Sequence, residues 1–233
     1  MARTINKEIF ASKRRAILDA AQRLVLTRGY AQMSVQDILD ALQISSGAFH
    51  HYFDSRDTLL EALIEQMQQE AEKPLLSIVH DPHLSAIEKF QGFFSTLDNS
   101  RTTQKAFITT LARVWFADDN ALVREKVDQA IIYRREPLLT KIIHQGIREG
   151  VFTNDYPNQA GGIILSLARG MGNTLVKLML SYEQKPEIGE IAATYAAYAD
   201  AIERILGAPS PFLSRPSGAE IATWLNMEDI TTN

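Results

Sequence analysis

Apolar residues recur along this chain at three- and four-residue spacing and almost nowhere in strict alternation, so the pattern predicts helices nearly throughout. Ile17, Ala21, Leu24 and Val25 share one face of a first helix over about residues 12–28, which Gly29 ends. Ser34 is placed to cap a second, short helix, with Asp37 as the capping-box carboxylate and Val35, Ile38, Leu39 and Leu42 as its apolar side. Gln43 and Ile44 form a turn. Ser45 caps a third helix that runs to about Tyr52 or Phe53. After a break at 54–57, Leu59, Leu60, Leu63, Ile64 and Met67 stripe a longer helix that Pro74 should interrupt or end. Further helices are predicted over about 84–97, 102–117, 121–135, 136–149, 157–181 and 187–206, with Gly150 closing the one before it. A strap rich in Pro, Ser and Gly follows over 207–218, then a short helix with Ile221, Trp224 and Leu225 on one face. The class is therefore all-α, with three short N-terminal helices and a larger helical body. The boundaries expected are 1–56, 57–206 and a terminal segment 207–233.

Composition narrows the chemistry. The 233 residues include no cysteine, which excludes disulfides, thiolate metal sites and cysteine nucleophiles and fits a reducing cytoplasm. Charged residues interrupt the first fifteen positions, so no secretory leader is expected, and no apolar run is long enough for a membrane span. The net charge is −4, but it is unevenly spread: residues 1–56 carry eight Lys/Arg against five Asp/Glu, leaving the remainder at −7. A basic end on an acidic body suits contact with phosphate at one end only.

The second and third helices, joined by a tight turn, have the proportions of a helix-turn-helix. A reading helix must fit a major groove about 12 Å wide, with small or hydrogen-bonding groups outward and apolar anchors inward. Ser45, Ser46, Gly47, Ala48, His50 and His51 meet the first need, and Phe49 and Phe53 with Ile38 and Leu39 the second. Gly47 costs about 1 kcal/mol inside a helix, which close approach of its backbone to DNA or to a neighbouring helix would explain. Taken singly, these residues read as caps, surface histidines and core aromatics. It is their order that points to double-stranded DNA.

The run Ser34-Val-Gln-Asp-Ile-Leu-Asp-Ala-Leu-Gln-Ile-Ser-Ser-Gly-Ala-Phe-His-His-Tyr-Phe53, followed by Ser55-Arg56-Asp57-Thr58-Leu59-Leu60, resembles the signature of the TetR (tetracycline-repressor-like) family. Ile17-Leu-Asp-Ala-Ala21 and Arg28-Gly-Tyr30 resemble that family's first helix and its exit. Gln145-Gly-Ile-Arg-Glu-Gly-Val-Phe152 is similar to a loose pattern in its C-terminal domains. The resemblance implies that Ser45, Ser46, Gly47, Ala48, His50 and His51 face the groove, and that Ser34, Tyr52 and Arg56 hold phosphate. His50 departs from the family's usual tyrosine and has a shorter reach. The resemblance further implies a homodimer and a small-molecule effector bound in the body, with the seam along the helices at about 157–181 and 187–206. The small residues of the first helix and Ile191, Ala192, Tyr195, Ala196, Tyr198, Ala199 and Ile202 of the second suit that seam, or equally suit packing within one chain.

Pocket candidates in the body are the apolar or adaptable Met67, Phe94, Phe107, Trp115, Tyr133 and Met171, with Arg113 and Asn173 as orienting polar groups; His144, among Ile142, Ile143 and Ile147, reads as a satisfied, partly buried histidine or else as a pocket residue. His80, Asp81 and His83 are too closely spaced in a loop for a closed metal site, so no metal or cofactor is expected. No nucleophile elbow, His-Glu-x-x-His or phosphate-binding glycine loop occurs, so an enzyme is not expected. Two other readings stay open here: a helical ligand-binding protein with no DNA role, and a DNA binder with no effector.

Overall fold

The computed structural model describes residues 2–102, 121–180 and 187–226. Its elements are α1 (Ala2–Arg28), α2 (Val35–Leu42), α3 (Ser46–His50), α4 (Arg56–His80), α5 (Ala86–Thr102), α6 (Ala121–Arg148), α7 (Pro157–Leu180), α8 (Ile188–Leu206) and α9 (Gly218–Asn226). No strand occurs among the described residues, as the hydrophobic pattern requires. The helix expected at 102–117 lies outside the described residues, apart from its first position.

The contacts divide the chain into two compact units, one of residues 1–70 and 111–130, the other of residues 71–110 and 131–233. In the first, α1 packs on α2. Ile17, Leu18, Ala21, Ile38, Phe49, Leu59 and Leu60 are almost fully buried there. In the second, the core gathers Leu75, Val79, Phe90, Phe93, Leu139, Ile142, Ile143, Phe152, Ile164, Ile202 and Leu206. Phe90, Phe152 and Phe212 form a ring triangle with centroids 5.5–5.9 Å apart, spacings at which aromatic edges and faces attract.

Several boundaries differ from the sequence expectation. α1 starts well before residue 12. α4 passes through Pro74, and α6 passes through Pro137, joining the two helices expected at 121–135 and 136–149. A proline inside a helix loses one backbone hydrogen bond and costs about 3 kcal/mol. The apolar stripe stays in phase across each one. Leu75 and Val79 follow Pro74 into the core, and Leu139, Ile142 and Ile143 follow Pro137, each at most 3% exposed. Burying side chains of this kind contributes about 1.5–3 kcal/mol apiece, enough to carry the helix through.

The pattern Gln145–Phe152 is a helix exit. Gly150 takes a left-handed φ of 72°, and the Val151 and Phe152 amides both donate to the Gly146 carbonyl, at 2.9 and 3.1 Å. The Phe152 ring thereby folds against Gly146, where a Cβ would lie only 2.1 Å from it. The small residues of α7 serve contacts of the same sort. A Cβ on Gly161 would meet the Thr140 hydroxyl at 2.6 Å, and one on Gly170 would meet that of Tyr198 at 3.4 Å. Ile191, Ala199 and Ile202 are 2–3% exposed and belong to the chain's own core, which removes them from the seam the pattern suggested.

The strap after α8 is organised by Glu203, a residue the hydrophobic pattern passes over. It is only 1% exposed. Its carboxylate accepts from the Ser210 hydroxyl at 2.7 Å, from the Phe212 and Leu213 amides at 3.0 and 2.9 Å, and from Arg215 at 2.9 and 3.3 Å. Burial alone would raise its pKa, but the bonds from Arg215, Ser210 and the two amides outweigh it and bring the carboxyl down to about 2. Ser217 and Glu220 then form a reciprocal cap that starts α9. Ile221 of α9 is fully buried, while the side chains of Trp224 and Leu225 lie outside the described set.

Candidate nucleic-acid interface

Local chemistry builds the α2–α3 pair. Ser34 has extended backbone and caps α2: its hydroxyl accepts from the Asp37 amide at 3.1 Å, while the Asp37 carboxylate accepts from the Ser34 amide at 2.8 Å. These bonds from the Ser34 side chain and backbone hold the Asp37 carboxyl below the usual carboxylate range. At the other end Gln43 is left-handed, with φ 52° and ψ 45°, and its amide and that of Ile44 return to the last carbonyls of α2. That single left-handed residue turns the chain toward α3. Ser45 caps α3 by accepting from the Ala48 amide at 3.2 Å.

α3 is shorter than expected, ending at His50, although hydrogen bonding continues from the Tyr52 and Phe53 amides to the Phe49 carbonyl at 2.8 and 3.1 Å. Phe49 and Phe53 are 0% and 4% exposed, buried as Ile38 and Leu39 of α2 are, and their rings lie 5.9 Å apart. Phe53 also lies under the Arg14 guanidinium, 4.9 Å from the ring centre. On the outer side, Ser34, Ser45, Ser46, Gly47, His50 and His51 are exposed, and Ala48 and Tyr52 half-buried. A Cβ added to Gly47 would meet nothing within 4 Å, so no neighbouring helix among the described residues accounts for the glycine.

Arg56 has a local structural role that the sequence did not reveal. Its guanidinium stacks on the Tyr30 ring at 3.9 Å and donates to the Tyr30 carbonyl at 2.8 Å. The Tyr30 hydroxyl donates to Asp57 at 2.9 Å, and burial, then that bond, raises its pKa. The start of α4 is thus tied to the exit of α1. A second unanticipated feature is Phe10, whose ring lies 4.7 Å from that of Tyr52 and 5.6 Å from that of His51.

The pocket candidates fall on four helices. Met67 of α4 is half-buried and belongs to the first unit. In the second unit Phe94 of α5 packs on Phe90 and Phe93, Met171 of α7 is 8% exposed, and His144 of α6 bonds Asn158 at 2.8 Å. Tyr133 is 83% exposed and Asn173 is exposed, so neither side chain is enclosed by the described residues. Phe107, Arg113 and Trp115 lie outside the described residues. At the end of α4 the His80 ring rests on the Leu76 carbonyl, and in the loop that follows Asp81 accepts from the His83 amide. Among the described residues no helix is long and apolar enough to cross a membrane.

Comparison with known proteins gives two family matches. Residues 17–63 match the bacterial regulatory proteins of the tetR family, and residues 113–179 match the tetracyclin repressor-like C-terminal domain. The transcriptional repressor KstR2 of Rhodococcus jostii is 22% identical over 158 residues, covering 62% of this chain and 70% of the repressor. Several curated relatives are matched over 42% to 73% of their own lengths. Among solved structures, a TetR-family regulator from Pectobacterium atrosepticum superposes with a TM-score of 0.62 at 19% identity, covering 87% of this chain and 98% of that one. The SmeT–triclosan complex superposes with a TM-score of 0.59 at 15% identity, covering 89% and 97%.

Proposed function

The chain belongs to the TetR family of bacterial regulatory proteins, and on that premise we propose that it is a sequence-specific DNA-binding repressor, working as a homodimer and released from its operator by a small apolar or amphipathic ligand. The observation that carries the DNA-reading part is the α2–α3 pair: two capped helices, a left-handed turn at Gln43, two buried phenylalanines, and an outer side of small and polar groups around an unobstructed Gly47. Ser45, Ser46, Gly47, Ala48, His50 and His51 meet the groove, where the bare Gly47 backbone permits close approach. Ser34, Tyr52 and Arg56 set the helix on the phosphates. The body within 57–206 holds the effector and the dimer seam. The repressor role is supported by KstR2, and the effector by a structural neighbour solved with triclosan. The effector acts only through its different affinity for the operator-bound and released conformations.

Selection of duplexes from a random pool tests this reading. The wild-type protein should enrich one pseudo-palindromic sequence, its half-sites about one helical turn apart or a multiple of that. Changing Ser46 or His51 should alter the preferred sequence. Tyr52→Phe should weaken all duplexes alike and leave the salt slope unchanged, because the phenol it removes holds phosphate by a hydrogen bond and carries no charge. Failure to enrich any sequence, or identical behaviour of the two classes of variant, would refute the assignment. A ligand library is then screened against the selected duplex; if every compound that bound the protein left operator affinity unchanged, the release mechanism would fail.

A further inference from the structure

We propose that Phe10, on α1 and outside the helix-turn-helix, is a positioning residue for DNA reading: its ring fixes His51 and Tyr52 in the conformation that meets the duplex. The proposal rests on the DNA-binding reading above. In the absence of a restraint, both side chains have room to move. His51 is exposed and Tyr52 half-buried. Both line an open apolar groove of about 330 Å³, between Ala16 and Ile17 of α1 and Leu42, Ile44 and Ala48 of the helix-turn-helix. Neither ring has a hydrogen-bond partner in the described contacts that would set its angle. What they have is Phe10. Its ring lies tilted at 42° over Tyr52 at 4.7 Å and nearly perpendicular, at 78°, to His51 at 5.6 Å. His51 and Tyr52 also meet each other edge to face at 5.1 Å, so the three rings form one cluster. Such pairs have defined preferred angles, and two of them on one ring restrict both neighbours.

The placement of Phe10 follows from helix periodicity. Lys7, Phe10 and Arg14 fall at i, i+3 and i+7 and share a face of α1. Arg14 directs that face to the end of α3 by stacking on Phe53. Phe10 nevertheless remains 39% exposed, which a residue serving only core packing would not be. Lys7, one turn further along, is exposed and extends the same basic surface. Desolvation of the cluster by bound DNA strengthens the link between α1 and the reading side chains, because the rings lose their remaining contact with water.

The test uses the full chain, the duplex that the wild-type protein enriches, and a scrambled duplex of equal length. Binding is measured by fluorescence anisotropy for the wild type, F10L, F10W, H51A and F10L/H51A. Loss of the ring in F10L should lower the ratio of selected to scrambled affinity by about 5- to 10-fold, the effect of one or two aromatic pairs. F10W should restore most of it. In the H51A background, F10L should cost less discrimination than in the wild type, since coupled residues are not additive. Thermal melting of F10L checks that the fold is retained, and F10W supplies a folded variant in any case. Equal weakening of both duplexes, unchanged binding, or full additivity with H51A would each overturn the role of Phe10. If the wild-type protein enriches no duplex at all, the DNA-binding reading falls and this one with it; the two failures are therefore distinct.

Discussion

Replacing Glu203 with glutamine removes the charge at the centre of the strap while keeping the side chain's size and one acceptor oxygen. The carboxylate is 1% exposed, receives five hydrogen bonds and has its pKa brought from 4.5 to about 2. A group whose folded-state pKa is depressed stabilises the fold above its unfolded pKa, and that contribution is lost as pH falls through the folded value. For Glu203 the window runs from about pH 4.5 down to about pH 2. A shift of this size is worth about 3 kcal/mol at pH 7 and about 1 kcal/mol at pH 3. Glu203→Gln should therefore be less stable than the wild type by about 3 kcal/mol at pH 7 in urea denaturation, with the gap narrowing to about 1 kcal/mol at pH 3. Asp37, Glu88, Glu149 and Glu220 also have lowered pKa values, but they are common to both proteins and cancel in the difference. Hydrogen exchange gives the local readout: the Phe212 and Leu213 amides, which donate to Glu203, should lose protection first. A gap that does not change between pH 7 and pH 3, or unchanged protection at those two amides, would refute the reasoning.

Two glycines on different helices should respond in opposite ways to the same substitution. Gly146→Ala should lower the melting temperature, because its Cβ would lie 2.1 Å from the Phe152 ring; overpacking of this kind costs about 1–3 kcal/mol, more than the gain in helix propensity. Gly47→Ala meets no atom within 4 Å, so the melting temperature should hold or rise by the equivalent of up to about 1 kcal/mol while operator affinity falls. A variant that melts higher at Gly146, or binds operator as well as the wild type at Gly47, would contradict these assignments.

How much was legible in the sequence depends on how local the cause is. The caps at Ser34 and Ser45, the turn at Gln43 and the inward Phe49 and Phe53 could be read directly, since a cap is made by groups three residues apart and a helix face by period alone. The two prolines show where local reasoning stops. Pro74 reads as a break and 121–135 and 136–149 as two helices, yet the helices run on through Pro74 and Pro137 because the residues beyond them are buried by partners distant in the chain. The small residues of α7 signalled close packing, but the sequence left the partner open; for Gly161 and Gly170 it is this chain's own Thr140 and Tyr198.

The sequence by itself determined the all-helical class, the capped helix pair and the residues on its outer side. Those follow from helix periodicity and from hydrogen bonds within one turn. Only the tertiary structure decided what Arg56, Phe10 and Glu203 do. Arg56 reaches Tyr30 across 26 positions, and Phe10 reaches Tyr52 across 42. Glu203 gathers a strap whose loop conformation no periodicity encodes. A charged or aromatic side chain carries no mark of its partner in the linear chain. Its role is set by what folding brings within a few ångströms, and by whether water is left there to compete.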